Sequence, residues 1–238
     1  MRKHWVIPDI HGCAKTLKAL IEDMVMPTKH DWVYFLGDYI DRGPASKEVI
    51  EYLMHLQKEE YNVRFLMGNH EDYLLKAYDE ELKGKSFLGF KQKGKKKKEW
   101  LFHGGKQCME SYGISNLKDM PKEHIDWMRK LEYYIELDDY LLVHAGFNFN
   151  NPDPFEDKDA MLWVRDYEID KSRIKNKKII HGHVPVNLEF IYMNLRNNFM
   201  KFIDLDNGVY MNKREGFGNL VALELITRDY KAQYNLDL

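Results

Sequence analysis

The sequence predicts a mixed α/β fold, with a parallel core sheet and further strands in a second sheet. Three observations carry that prediction. Apolar runs of strand length alternate with helical spacing near the N-terminus, the middle of the chain keeps helical spacing, and the C-terminal part alternates around turn signals.

The first three runs are His4–Pro8 (HWVIP), Trp32–Leu36 (WVYFL) and Val63–Met67 (VRFLM). Between them, Leu17, Leu20, Ile21 and Met24, and then Val49, Ile50, Leu53 and Leu56, recur at intervals of three and four. Strand, helix, strand, helix, strand implies right-handed crossovers and parallel pairing. Residues 71–139 are expected to form a mostly helical insertion, with Trp127, Met128, Leu131 and Tyr134 on one face. Inside it, Lys83–Lys98 is rich in lysine and glycine and predicts an exposed, mobile loop. Two more strands are expected at Leu141–Val143 and Lys178–Ile180. The segments NFMKFIDLDNGVYMN and GNLVALELI predict antiparallel strands of the second sheet, with a hairpin at Asn207-Gly208. No repeat or linker divides the chain, so residues 1–238 are expected to form one domain.

Composition narrows the function classes. The chain has 238 residues, 44% of them apolar, enough for a substantial core. A formal charge of -2 gives no general attraction to nucleic acid or membrane. Cys13 and Cys108 do not make a disulfide framework. There is no apolar leader after "MRKHWVIPDIHG" and no membrane-length apolar run, so a soluble cytoplasmic protein is expected.

The chemistry gathers where strands end. HWVIP runs into Asp9-Ile10-His11-Gly12, and WVYFL into Gly37-Asp38-Tyr39-Ile40-Asp41-Arg42-Gly43. VRFLM is followed by Gly68-Asn69-His70-Glu71, LLV by His144-Ala145-Gly146, and KII by His181-Gly182-His183. In open α/β sheets, ligands collect outside the carboxyl ends of strands, so the five clusters converge on one rim. Carboxylate, imidazole and amide oxygen suit a borderline divalent metal, and a shared aspartate can bridge two. The charges at the strand ends are thus read as partners of metal ions and an anion.

In these motifs the chain resembles the calcineurin-like metallophosphoesterases, and within them the bacterial and phage form of the serine/threonine phosphoprotein phosphatase branch. LWVRD (Leu162–Asp166), ESYG (Glu110–Gly113) and the DNG at Asp206 extend the likeness. The resemblance implies a two-sheet αββα sandwich with a dinuclear centre of two divalent ions, manganese first, with iron or zinc as alternatives. It implies that Asp9 and His11 bind the first ion, Asp38 bridges, and Asn69, His144 and His183 bind the second. Arg42 and Arg165 would grip phosphate oxygens, and Asp41 would orient His70 as general acid. Where many relatives carry Gly-His-x-His, this chain has Gly182-His183-Val184-Pro185, a departure shared with the phosphoprotein phosphatase branch. His181 is expected at most behind the ligands.

The reaction so implied is in-line attack on a phosphomonoester by a hydroxide bridging two metals. Phosphoserine or phosphothreonine in proteins is the expected substrate. Symmetrical hydrolysis of dinucleoside tetraphosphates is the alternative, because it uses the same metal core. That route needs aromatic faces, and Phe87, Phe90 and Trp100 are available either for stacking or as loop anchors. A reading of another class makes the lysine run a binding module for anionic partners beside a vestigial site. Neither cysteine lies in a phosphate-cradling loop, and DLDNG (Asp204–Gly208) reads as a turn.

Overall fold

A computed structural model describes residues 2–83 and 94–238. The first sheet contains β1 (His4–Ile7), β2 (Trp32–Phe35), β3 (Asn62–Phe65), β8 (Asn219–Glu224) and β9 (Tyr230–Tyr234), in the order β3-β2-β1-β8-β9. The second contains β4 (Tyr134–Glu136), β5 (Tyr140–Val143), β6 (Lys178–His181) and β7 (Phe202–Asp204), in chain order. β1, β2 and β3 are parallel, as the alternation of strand and helix requires, and so are β5, β6 and β7.

Period-two alternation sorts the strands into layers. Trp5 and Ile7 of β1, with Val33 and Phe35 of β2, face a cluster built with helices α1 (Ala14–Ala19), α2 (Ser46–Lys58), α3 (Asn69–Leu82) and α6 (Lys122–Met128). Val6, Tyr34 and Leu36 face the other way and meet Leu142, Ile180 and Ile203 of the second sheet. Leu141, Val143 and Ile179 cover the outer face of that sheet beneath α7 (Lys158–Trp163). The result is the expected sandwich of two sheets between helical layers.

Three expectations need correction. The Asn207-Gly208 turn does not join a hairpin: β7 lies parallel to β6, whereas β8 crosses to the first sheet and pairs antiparallel with β1 and β9. Asn207 instead spends its side chain on Val186 O, Gly216 O and Asn219 N, fixing the crossover. The hairpin that exists is β8–β9. Second, the 71–139 region begins its helix at Asn69 and contains β4; Leu131 and Tyr134 lie beyond the end of α6. Third, Lys95–Lys98 is not loop but the start of α4 (Lys95–Trp100). Glu80 accepts from Lys96 N and Lys97 N at 3.1 and 3.4 Å, and Glu81 pairs with Lys97 Nζ at 2.7 Å, so acids on α3 hold that helix. Lys85, Lys91, Lys93, Phe87 and Phe90 lie outside the described residues. No described helix is long and apolar enough to cross a membrane.

Candidate metal centre

The strand ends do converge. Asp9, His11, Asp38, Asn69, His70, Asp41 and His144 are all buried, with His183 and Arg42 partly so. Arg165 is exposed, two residues after Trp163, whose ring lies 6.4 Å from His183, and its charge acts on His183 and His103.

The backbone bends hard to bring them in. Ten described non-glycine residues have positive φ, and five are His11, Asp38, Asp41, Arg42 and His183. Left-handed conformations at such residues cost of order 1 kcal/mol or more each, so the surrounding bonds must hold them. Glu71 does much of that. Its buried carboxylate accepts from Gly68 N (3.1 Å), Asp38 N (2.9 Å), Tyr39 N (2.8 Å) and Ile40 N (3.3 Å). On the opposite rim, a Cβ on Gly182 would lie 2.1 Å from Asp9 Oδ1, so only glycine lets the two rims close. His183 N then donates to Asp9 Oδ1 and Oδ2, at 3.1 and 3.2 Å.

Two groups of metal-competent side chains share one residue. Ligand atoms of His11, Asp38 and His70 lie within 4.8 Å of one another, and so do those of Asp38, His144 and His183. Asp9 adds to the first, with Oδ2 at 4.0 Å from His11 Nε2. Tautomers follow from the outer hydrogen bonds. His11 Nδ1 donates to Ile40 O and His144 Nδ1 to Leu36 O, each at 3.0 Å, leaving both Nε2 atoms as lone pairs. His144 Nε2 then faces Asn69 Oδ1 at 2.9 Å and Asp38 Oδ1 at 3.5 Å. Acceptors aimed at one another repel unless a cation lies among them, so this donor set fits a divalent ion.

The histidines divide by environment. Burial pushes the His11, His144 and His183 imidazoles down, His183 to about 3, which keeps them neutral as ligands must be. Burial also opposes charge on His70, but Asp38 and Asp41 outweigh it and raise this imidazole. His70 Nδ1 lies 2.7 Å from Asp41 Oδ2, and that oxygen also accepts from Trp100 Nε1 at 2.9 Å. Arg42 Nη1 and Nη2 approach His11 Nε2 at 2.9 Å and His70 Nε2 at 3.1 Å.

The decisive comparison is with families of known sequence. A model of the family described as calcineurin-like phosphoesterase matches residues 3–211. The chain belongs to that family. Divalent ions in a dinuclear site are the family's chemistry, and the protein is a metallophosphoesterase. Similar proteins include "Bis(5'-nucleosyl)-tetraphosphatase, symmetrical" of Buchnera aphidicola subsp. Schizaphis graminum, 38% identical over 74 residues, 31% of this chain and 26% of that one. The protein of the same name from Yersinia pestis (strain Pestoides F) is 30% identical over 147 residues, 60% of this chain and 41% of that one. The chain thus spans from about a quarter to two fifths of the length of these relatives. Among solved structures, a candidate diadenosine tetraphosphatase superposes with a TM-score of 0.61 at 14% identity, covering 100% of this chain and 95% of its own. A protein serine/threonine phosphatase from Saccharomyces cerevisiae gives 0.61 at 16%, covering 100% and 81%. At such identities the likeness is one of fold.

Several residues at this metallophosphoesterase site were not singled out from sequence. Glu71 stands in the sequence only as the end of the Gly68–Glu71 cluster, Asp206 only in a turn-like DNG and Trp163 only in the LWVRD likeness, while Tyr73, Phe102 and His103 carry no local signal. Trp100, a candidate stacking face, is fully buried and tied to Asp41, so it is no substrate wall. His181 is buried among Phe202 and Asp204, with its Nδ1 on Gly182 O.

Proposed function

We propose that the protein hydrolyses phosphoric anhydrides of dinucleoside polyphosphates, and that phosphoserine and phosphothreonine are secondary. This reverses the order expected from sequence. The observation that carries it is an aromatic rim beside the buried cluster. Tyr73 stacks on His103 (5.4 Å, 13°) and meets Trp163 edge-on (4.6 Å), while Trp163 lies 6.4 Å from His183. Phe102, against His103 at 5.3 Å, is 86% exposed. Such faces suit nucleobases, and Arg42 and Arg165 suit a chain of phosphates. The relatives named symmetrical tetraphosphatases point the same way.

In this reading Asp9, His11 and Asp38 hold one ion, and Asp38, Asn69, His144 and His183 the other. When bound, the ions supply Lewis-acid stabilisation and an activated water, with manganese our first choice. Arg42 and Arg165 grip the non-bridging oxygens of the attacked phosphorus. Drawn to the phosphate, Arg42 leaves His70 Nε2 free to carry a proton. His70 donates that proton to the departing oxygen, and Asp41 steadies the ring through Nδ1. Catalytic efficiencies on diadenosine tetraphosphate and on phosphoserine peptides, with Mn²⁺, test the reading. A preference of ~100-fold for the tetraphosphate, ~2.7 kcal/mol, is expected, and equal or reversed efficiencies would refute it.

A further inference from the structure

After β7 the chain reaches Asp206, which is 1% exposed. Its Oδ1 accepts from Gly208 N at 2.7 Å. Its Oδ2 is buried and, among the described residues, has no hydrogen-bond partner. The carboxylate lies on the first-ion side of the centre, four residues before Tyr210, whose ring meets His11, and its charge acts on Asp9 and, together with Asp9 and Asp38, on Tyr210. Tyr210 closes that side, with its ring edge-on to His11 at 5.0 Å and 4.3 Å from the Arg42 guanidinium.

Three buried carboxylates, Asp9, Asp38 and Asp206, therefore share one corner with Arg42 as the arginine that acts on each of them. Unpaired buried carboxylates are costly, and a lone arginine cannot balance three.

We infer that Asp206 is a further ligand of the first metal position, offering Oδ2 to the ion held by Asp9, His11 and Asp38. The Gly208 N–H fixes the other oxygen and so aims this one. Val186 N donates to Asp206 O at 2.8 Å, which ties the loop to the backbone that follows His183. The ligand therefore arrives from the second sheet, and the first ion joins both sheets as the second ion does. The inference rests on the dinuclear reading of the cluster.

The test is Mn²⁺ binding to chelator-treated protein, followed by calorimetry and by metal content after gel filtration. Wild type should bind two ions. Asp206→Asn, which keeps an oxygen for Gly208 N, should bind one ion with wild-type affinity and the other at least tenfold more weakly. Without metal, the variant should unfold at a temperature equal to or above wild type, because a repelling buried charge is gone. Two ions bound with wild-type affinities by the variant would overturn the inference. So would a variant destabilised without metal whose affinities are unchanged, since that marks a structural aspartate. If Asp206→Asn does not fold, Asp206→Ser carries the same two outcomes. A wild type that binds no divalent ion would instead refute the dinuclear reading, and Asp206 with it.

Discussion

The two rims of the cleft are built differently. On the first-sheet side, Glu71 gathers four backbone N–H groups, and His11, Asp38, Asp41 and Arg42 all sit at positive φ. On the second-sheet side, of the proposed ligands His144 and His183 only His183 is in that conformation, and Arg165 is exposed with no hydrogen bond among the described residues. Strain held by a dense set of bonds fixes atoms to fractions of an ångström, as chemistry demands. A sparsely held arginine, whose charge reaches His103 of the aromatic group formed by Tyr73, His103, Phe102 and Trp163, suits groups of varied shape. In the proposed function, the tightly held residues cut and the sparsely held ones choose.

The sharpest way to break this division is at the acid. His70→Asn is expected to lower kcat by roughly 10²–10⁴ while metal content stays intact. The loss should be smaller on nitrophenyl phosphate than on serine phosphate, because a good leaving group needs little protonation. Equal losses on both, measured side by side, would remove His70 from the role.

A milder test follows the same rim inward. Trp100→Phe keeps the ring against Gly105, whose added Cβ would meet the indole at 2.4 Å, but deletes the N–H to Asp41. A drop of about tenfold in kcat, ~1.4 kcal/mol, with unchanged KM is expected. A KM effect would place Trp100 on the selecting rim instead.

That rim has its own test. Phe102→Ala and Trp163→Ala should raise KM for diadenosine tetraphosphate about 5- to 30-fold, given ~1–2 kcal/mol per stacked base. The kinetics of nitrophenyl phosphate should not change. Parallel losses on both substrates would mean the aromatics brace the metal centre.

The smallest expected effect lies at the far end of β2 and serves as a control. Asp31 is pushed up by burial, but hydrogen bonds from Lys3 N, Thr28 N and the Thr28 hydroxyl outweigh this and hold it below the usual carboxylate range. A lowered folded pKa contributes stability above the unfolded value of ~3.9, lost as pH falls through the folded one. Asp31→Asn should therefore cost about 1–2 kcal/mol near neutrality. In urea titrations the gap from wild type should close below pH ~4, with activity per folded molecule unchanged.

Much of this was legible in the chain because strand ends are local events. An apolar run, a glycine and a polar cluster are contiguous, so Asp9, His11, Asp38, Asn69, His144 and His183 could be named together. What hid was decided at long range. Asn207-Gly208 carries the local mark of a hairpin, yet β8 pairs with β1 because Val221 and Leu223 complete the layer between the sheets. Lys95–Lys98 looks like solvated charge, but Glu80 and Glu81 wait a helix away. Asp206 resembled a turn former, since nothing in DNG reveals that one oxygen is buried without a partner and that its charge reaches Asp9.

The place of β1 bears on how the protein folds in time. This strand carries Asp9 and His11 at its end, yet it lies between β2 and β8, and His4 N meets Glu224 across 220 positions of sequence. Contacts so distant in sequence demand a large loop closure before they reward the chain, and topologies rich in them fold slowly. Helices and the β1–β2–β3 crossovers are then expected to form first, with β8 docking as the late step. Refolding followed by tryptophan fluorescence should thus recover signal before it recovers turnover, so that activity returns last.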